Sequence, residues 1–109
     1  MQPLKDVLVV DLSQNLAGPY CTQILGDLGA TVLKVEPPAG DPARAWGPPF
    51  WAEDSTIFLS ANRNKTSITL DLKNENDRAV LHDHISRSDV CVQSYRAGVF
   101  ERLGVSEAT

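Results

Sequence analysis

Two asparagines, an arginine and a lysine stand together at Asn62-Arg63-Asn64-Lys65. A hydrophobic core has no use for such a run, but an anionic ligand does: arginine offers a planar fork of donors and lysine a compact charge. The knot continues into Thr66-Ser67-Ile68-Thr69-Leu70-Asp71-Leu72-Lys73, which alternates from Ile68 to Leu72 and ends on a second lysine. Read alone, Arg63 and Lys65 could as readily organise a wet loop or a subunit contact. The other reactive residues offer less. Cys21 and Cys91 are the only cysteines and form no Cys-x-x-Cys pair. His82 and His84 are two apart and point to different sides of a helix. These four residues make no zinc site. Both cysteines lie in apolar periodic stretches and are expected to be buried, reduced thiols.

The elements that must position the knot are legible around it. Val7-Leu8-Val9-Val10 is a continuous apolar run, the signature of a strand buried on both faces. Gly18-Pro19 opens a helix, with proline at its first position. Cys21, Ile24, Leu25 and Leu28 recur at helical spacing and are expected to face the core, and Gly29 ends the helix. Thr31 to Val35, capped by Glu36, is a second buried strand. Together these form a βαβ unit. Residues 37–54 carry five of the seven prolines and both tryptophans, and Trp46-Gly47-Pro48-Pro49-Phe50-Trp51 is too aromatic for a disordered linker. This segment is expected to be an ordered functional loop. Ile57 to Ser60 is a short apolar element, and Ser67 to Leu72 is a predicted strand. Asn74 caps a helix with Asp77 in a box-like position, and Val80, Leu81 and Ile85 form its apolar face. Asp89 starts the strand Val90-Cys91-Val92, and Gly98 to Leu103 is a short helix ended by Gly104.

Alternating strands and helices predict an α/β fold: a Rossmann-like, mainly parallel sheet with βαβ crossovers. Ligands of such sheets bind beyond the carboxyl ends of the strands. Four segments are expected there: Asn15 to Gly18, the loop after Glu36, Asp71 to Lys73, and Ser94 to Arg96.

The 109 residues suffice for one domain with a thin core. A formal net charge of −4 speaks against a nucleic-acid partner. An anion must therefore be held by a local basic cluster. No apolar run approaches the length of a membrane span, and the N-terminus has no targeting character, so a cytoplasmic protein is expected. A dinucleotide is disfavoured. Glu36 stands where a ribose-binding acid would, but Asp11-Leu12-Ser13-Gln14-Asn15-Leu16-Ala17-Gly18 lacks the glycines that admit a pyrophosphate, and no Walker A lysine is present.

Seven motifs occur in order: Leu16-Ala17-Gly18-Pro19-Tyr20-Cys21, Leu28-Gly29-Ala30, Lys34-Val35-Glu36-Pro37, Trp46-Gly47-Pro48-Pro49-Phe50, Asn62-Arg63-Asn64-Lys65 with Ser67-Ile68, Leu70-Asp71-Leu72-Lys73, and Gly98 with Arg102-Leu103-Gly104. The series resembles the N-terminal part of the class III CoA-transferases, which include formyl-CoA, carnitine and bile-acid CoA transferases and the α-methylacyl-CoA racemases. It covers essentially the whole chain. The resemblance implies that residues 1–109 are a CoA-binding Rossmann-like segment, incomplete relative to the family, with coenzyme A or an acyl-CoA as substrate and no tightly bound cofactor. A small carboxylic acid would be the other substrate, and the full-length protein would form an interlocked homodimer.

The resemblance also assigns residues. Backbone contacts to CoA fall to Leu16 and Ala17. Leu70, Asp71, Leu72 and Lys73 would line the nucleotide site, with Lys73 on a phosphate. Ser94, Tyr95 and Arg96 would add contacts, Tyr95 by stacking on adenine, and Arg102 would bind phosphate. The knot would become one wall of the composite site. Two departures stand out: Gln93-Ser94-Tyr95 replaces the family's usual Glu-Asn-Phe, which puts the contact at Ser94 in question, and Pro37 replaces a basic ligand of some members. The family's transferases use an aspartate nucleophile, which the resemblance sets beyond position 109. No catalytic or metal-binding residue is therefore expected here, and Asp11 and Asp71 are read as structural. The expected activity of the whole protein is transfer of CoA between an acyl-CoA and a free acid. The alternatives are a racemase of the same family or, for this chain alone, a non-catalytic binding or assembly fragment.

Overall fold

The structure, a computed structural model, describes residues 2–102 other than Glu53 and Ala97, and only the backbone of Phe100 and Arg102. Among the described residues six strands and four α-helices follow one another: β1 (Leu8–Leu12), α1 (Ala17–Asp27), β2 (Thr31–Glu36), a 3-10 turn (Pro42–Ala45), β3 (Phe50–Trp51), β4 (Asp54–Ser55), α2 (Thr56–Ala61), β5 (Lys65–Thr69), α3 (Glu75–Arg87), β6 (Val90–Gln93) and α4 (Val99–Arg102). β5, β2, β1 and β6 form a parallel sheet in that order, and β3 and β4 make a separate antiparallel hairpin. The strand order turns back between β1 and β6, which sets a crevice at their carboxyl ends. Among the described residues no helix is long and apolar enough to cross a membrane.

The sheet is covered on both faces. Alternation along β1 sends Val9 one way and Val10 the other. Val9 joins Ala30, Val32 and Leu25 on the α1 side, while Val10 and Leu12 join Val35, Leu70, Leu81 and Ile85 on the α3 side. Toward the carboxyl ends the α1 face of the sheet turns polar, because Asp11 pairs in register with Lys34, and Lys34 with Ser67.

That polar row overturns the expected orientation of α1. Thr22 and Gln23 are buried, while Tyr20, Cys21, Ile24 and Leu28 are exposed; of the expected stripe only Leu25 joins the core. Thr22 Oγ1 donates to Asp11 Oδ2 at 2.7 Å, and Gln23 Oε1 accepts from Arg63 N at 3.0 Å. Buried carboxylates and amides need such partners, so the helix presents its polar side inward. Helix α1 also starts earlier than expected, at Ala17, with Pro19 in its third position. Gly18 allows the close approach: a Cβ there would lie 2.3 Å from that of Ser13. Gly29 ends the helix at φ 108°, a conformation that glycine adopts without strain.

Three further expectations shift. β5 spans Lys65–Thr69 rather than Ser67 to Leu72, because its ladder follows β2 only to Glu36; Leu70 N then bonds Glu36 O at 2.9 Å and the chain turns. Asn74 caps α3 by accepting from Asn76 N and Asp77 N, but Asp77 does not close a capping box: its carboxylate accepts from Asp71 N at 2.8 Å instead. Both cysteines are exposed rather than buried, Cys21 on the outer side of α1 and Cys91 on β6.

Candidate functional site

A cavity of about 440 Å³ opens at the carboxyl ends of the strands. Gln14 from the β1–α1 turn, Val35 and Glu36 at the end of β2, Pro37 to Ala39 after it, Leu70 to Lys73 after β5, and Tyr95 after β6 form its walls. Three of the four segments expected at this edge therefore contribute, the last through Tyr95 alone, and the first turn contributes Gln14 rather than Asn15 to Gly18. Leu70 is buried and ties the wall to the core. Asp71 Oδ1 accepts from Lys73 N at 3.0 Å, which shapes the turn that carries Lys73. Lys73 is exposed, and none of the ion pairs among the described residues uses it. Tyr95 serves two ends: it packs on the Leu81 cluster and its residue lines the cavity, and burial pushes its hydroxyl pKa up. Ser94 and Arg96 flank it and are exposed. Ser94 Oγ accepts from Gln14 N at 3.1 Å, a bond between turns rather than toward the cavity. Leu16 and Ala17 are exposed at the start of α1 and do not line the cavity. The side chain of Arg102 lies outside the described residues.

The knot plays a different part from the one expected. Lys65 Nζ donates to Asp11 Oδ2 at 3.0 Å, to Pro19 O at 3.0 Å and to Asn62 Oδ1 at 2.7 Å. Arg63 and Asn64 both grip Asp27 at the end of α1. Asn62 Nδ2 donates to Phe58 O at 2.8 Å. None of the four lines the cavity. The knot is a clamp that fastens β5 to α1 and β1.

Asp11, at the centre of the clamp, is fully buried. Burial works against its charge, but hydrogen bonds from Ser13, the Lys65 ammonium and the Thr22 hydroxyl outweigh it and hold the carboxyl below the usual range. Glu36 is similar. Its Oε1 accepts from Asp41 N at 2.8 Å and Arg44 Nε at 2.7 Å; its Oε2 accepts from Arg44 at 2.8 Å and from the Ser67 hydroxyl. These bonds, led by Arg44, override the effect of burial and lower its pKa to about 2. A carboxylate so fully engaged has no capacity left for a ribose, which removes the remaining argument for a dinucleotide. Arg44 also donates to Asp54 and stacks 4.0 Å from the centre of the Phe58 ring, so it ties the end of β2 to β4 and α2.

Sequence reasoning missed Arg44, Lys34 and Asp41. The last two form an ion pair at 2.9 Å with side chains 1% and 0% exposed. Signals were present: a lysine inside a buried strand requires a counter-charge, and Asp41 before Pro42 has the form of a helix cap.

The sequence model of CoA-transferase family III matches residues 4–109. The chain belongs to CoA-transferase family III. This family III segment is 46% identical over 106 residues to succinyl-CoA:glutarate CoA-transferase of Mus musculus, covering 96% of the chain and 24% of that relative. It is 45% identical over 103 residues to acetyl-CoA:oxalate CoA-transferase of Acetobacter aceti, covering 94% and 26%. Among solved structures, a CAIB/BAIF family protein from Brucella suis superposes with a TM-score of 0.94 at 38% identity, over 98% of this chain and 29% of that one. The chain thus spans about a quarter of the length of the curated relatives it matches.

Proposed function

We propose that the chain is the CoA-binding N-terminal part of a CoA-transferase, which moves CoA between an acyl-CoA thioester and a free carboxylic acid. The observation that carries this reading is the meeting of Leu70 to Lys73 and Tyr95 around one cavity at the strand ends. Lys73 supplies a cation for phosphate, and Tyr95 a ring for adenine. The names of the relatives, succinyl-CoA:glutarate and acetyl-CoA:oxalate CoA-transferase, support the same class of reaction. Leu16, Ala17, Arg96 and Arg102 complete the proposed contacts.

Asp11, Asp41 and Asp71 do not suit the nucleophile. Asp11 and Asp41 are buried and paired with lysines, and Asp71 is turned onto the backbone of Lys73. In this reading the chain alone binds without turnover, and the whole transferase acts as an interlocked cytoplasmic homodimer. The racemase branch of the family is the other reading of the whole protein. Calorimetric titration of the chain with CoA, and with dephospho-CoA, tests the site. Parent chain is expected to bind, and Lys73→Ala to bind more weakly. Equal affinities in parent and variant would remove the phosphate assignment. For the reaction, a polypeptide extended to the length of the relatives is expected to exchange labelled succinate into an acyl-CoA. Epimerisation of a 2-methylacyl-CoA with no acceptor acid would transfer the protein to the racemase branch.

A further inference from the structure

The β1–α1 turn is gripped by three side chains from outside it. Lys34, in the middle of β2, donates from Nζ to Ser13 O at 3.2 Å. Ser94, just past β6, accepts from Gln14 N at 3.1 Å. Asp41, before the 3-10 turn, accepts through Oδ1 from Asn15 N at 3.1 Å. Three consecutive backbone positions are thus held by three separate elements. Asn15 is fixed at φ 71°, a left-handed conformation that asparagine tolerates but that an unrestrained loop seldom keeps.

Folding alone does not call for this device. Two charges removed from water are often no better for stability than apolar side chains of the same size. The Lys34–Asp41 pair is nevertheless buried at 1% and 0% exposure. What it secures is geometry. Asp41 N donates to Glu36 Oε1, and Glu36 is a cavity wall, so the pair links that wall to the turn that supplies Gln14 to the cavity.

We propose that Lys34, Asp41 and Ser94 are positioning residues: they set the backbone of the β1–α1 turn in its ligand-ready shape before a CoA-type nucleotide arrives. The inference rests on the CoA reading of the cavity. A turn already ordered spares the ligand the entropy of ordering it, which raises affinity without adding a contact.

The test compares the parent chain with Ser94→Ala, Ser94→Thr and the double variant Lys34→Met/Asp41→Leu, which removes both buried charges and leaves none unpaired. Circular dichroism selects folded proteins, calorimetry measures CoA affinity, and amide hydrogen exchange reads Gln14 and Asn15. Ser94→Ala is expected to stay folded, to expose the Gln14 amide to faster exchange, and to bind CoA about tenfold more weakly, the scale of one hydrogen bond. Ser94→Thr keeps the hydroxyl and is expected to restore parent values. The double variant is expected to speed exchange at Asn15 and to lose more affinity. Folded Ser94→Ala and double variants with parent affinity and parent exchange would overturn the proposal. Parent chain that binds no CoA would sink the CoA reading separately; the exchange rates would then decide on the turn, with unchanged protection refuting positioning and faster exchange upholding it.

Discussion

Lys65 and Asp11 meet at 3.0 Å with side chains 2% and 0% exposed, so the most basic stretch of the chain spends its lysine on holding the central strand. Removing one member of such a pair leaves the other charge buried. Lys65→Met is expected to lower unfolding free energy by about 3–5 kcal/mol, measured by urea denaturation. Arg63→Ala, whose partner Asp27 lies at the surface, is expected to leave the midpoint almost unchanged, because exposed pairs are screened by water and salt. Equal losses in both variants would contradict the clamp.

Acid should loosen the loop between β2 and β4. Glu36 has a folded pKa of about 2 against an ordinary 4.5. A depressed carboxylate contributes stability that is complete above its unfolded value and is lost as pH falls toward the folded one. Stability is therefore expected to fall between about pH 4.5 and 2, with Asp11 adding in the same direction. Glu36→Gln removes that group's share, and its denaturation midpoint should depend less on pH across the window. An unchanged pH profile would show that the Arg44 fork does not stabilise the charge.

The cavity reading carries a salt signature. Lys73 is exposed, so its attraction for phosphate is screened as ionic strength rises. CoA affinity of the parent is expected to weaken with added salt, and the slope to flatten in Lys73→Ala. Parallel slopes would place the phosphate elsewhere.

Helices α1 and α3 should respond unequally to truncation of their apolar side chains. Leu81 is fully buried in the α3-side core. Leu81→Ala is expected to cost about 2–5 kcal/mol. Ile24→Ala removes a side chain that is 42% exposed and is expected to cost far less. A large loss at Ile24 would mean that α1 faces the other way.

The parts of this fold that follow from local pattern were legible in advance. Continuous apolar runs marked β1 and β2, Gly29 marked the end of α1, and Asn74 marked the start of α3. What sequence could not supply was the chemistry of the surface each element lands on. Ile24 and Leu28 have the spacing of a core stripe, but the row beneath α1 holds Asp11 and Lys34, and Thr22 satisfies Asp11 better. The same holds for the site. Lys73 and Tyr95 were expected at the strand ends because their positions follow from topology, and both line the cavity there. Lys34 and Asp41 were missed because their role is visible only once β2 and the loop after it are folded together. Arg63 and Lys65 drew attention as bare charges; their partners Asp27 and Asp11 stand far from them in the chain.

The register of β1 has a consequence for how the chain is made. Leu8 pairs with Thr31 on one side, but Val9 pairs with Val90 on the other, in β6, the strand of this sheet that lies furthest along the sequence among the described residues. A growing chain can close the first βαβ unit early and must then carry its central strand with one open edge until β6 emerges. Such distant pairing slows folding and leaves an edge on which another nascent chain can add. Gln14 waits equally long, because its acceptor, Ser94, follows β6 directly. A ribosome stalled before that strand would release a body with its first crossover built and its ligand turn still loose.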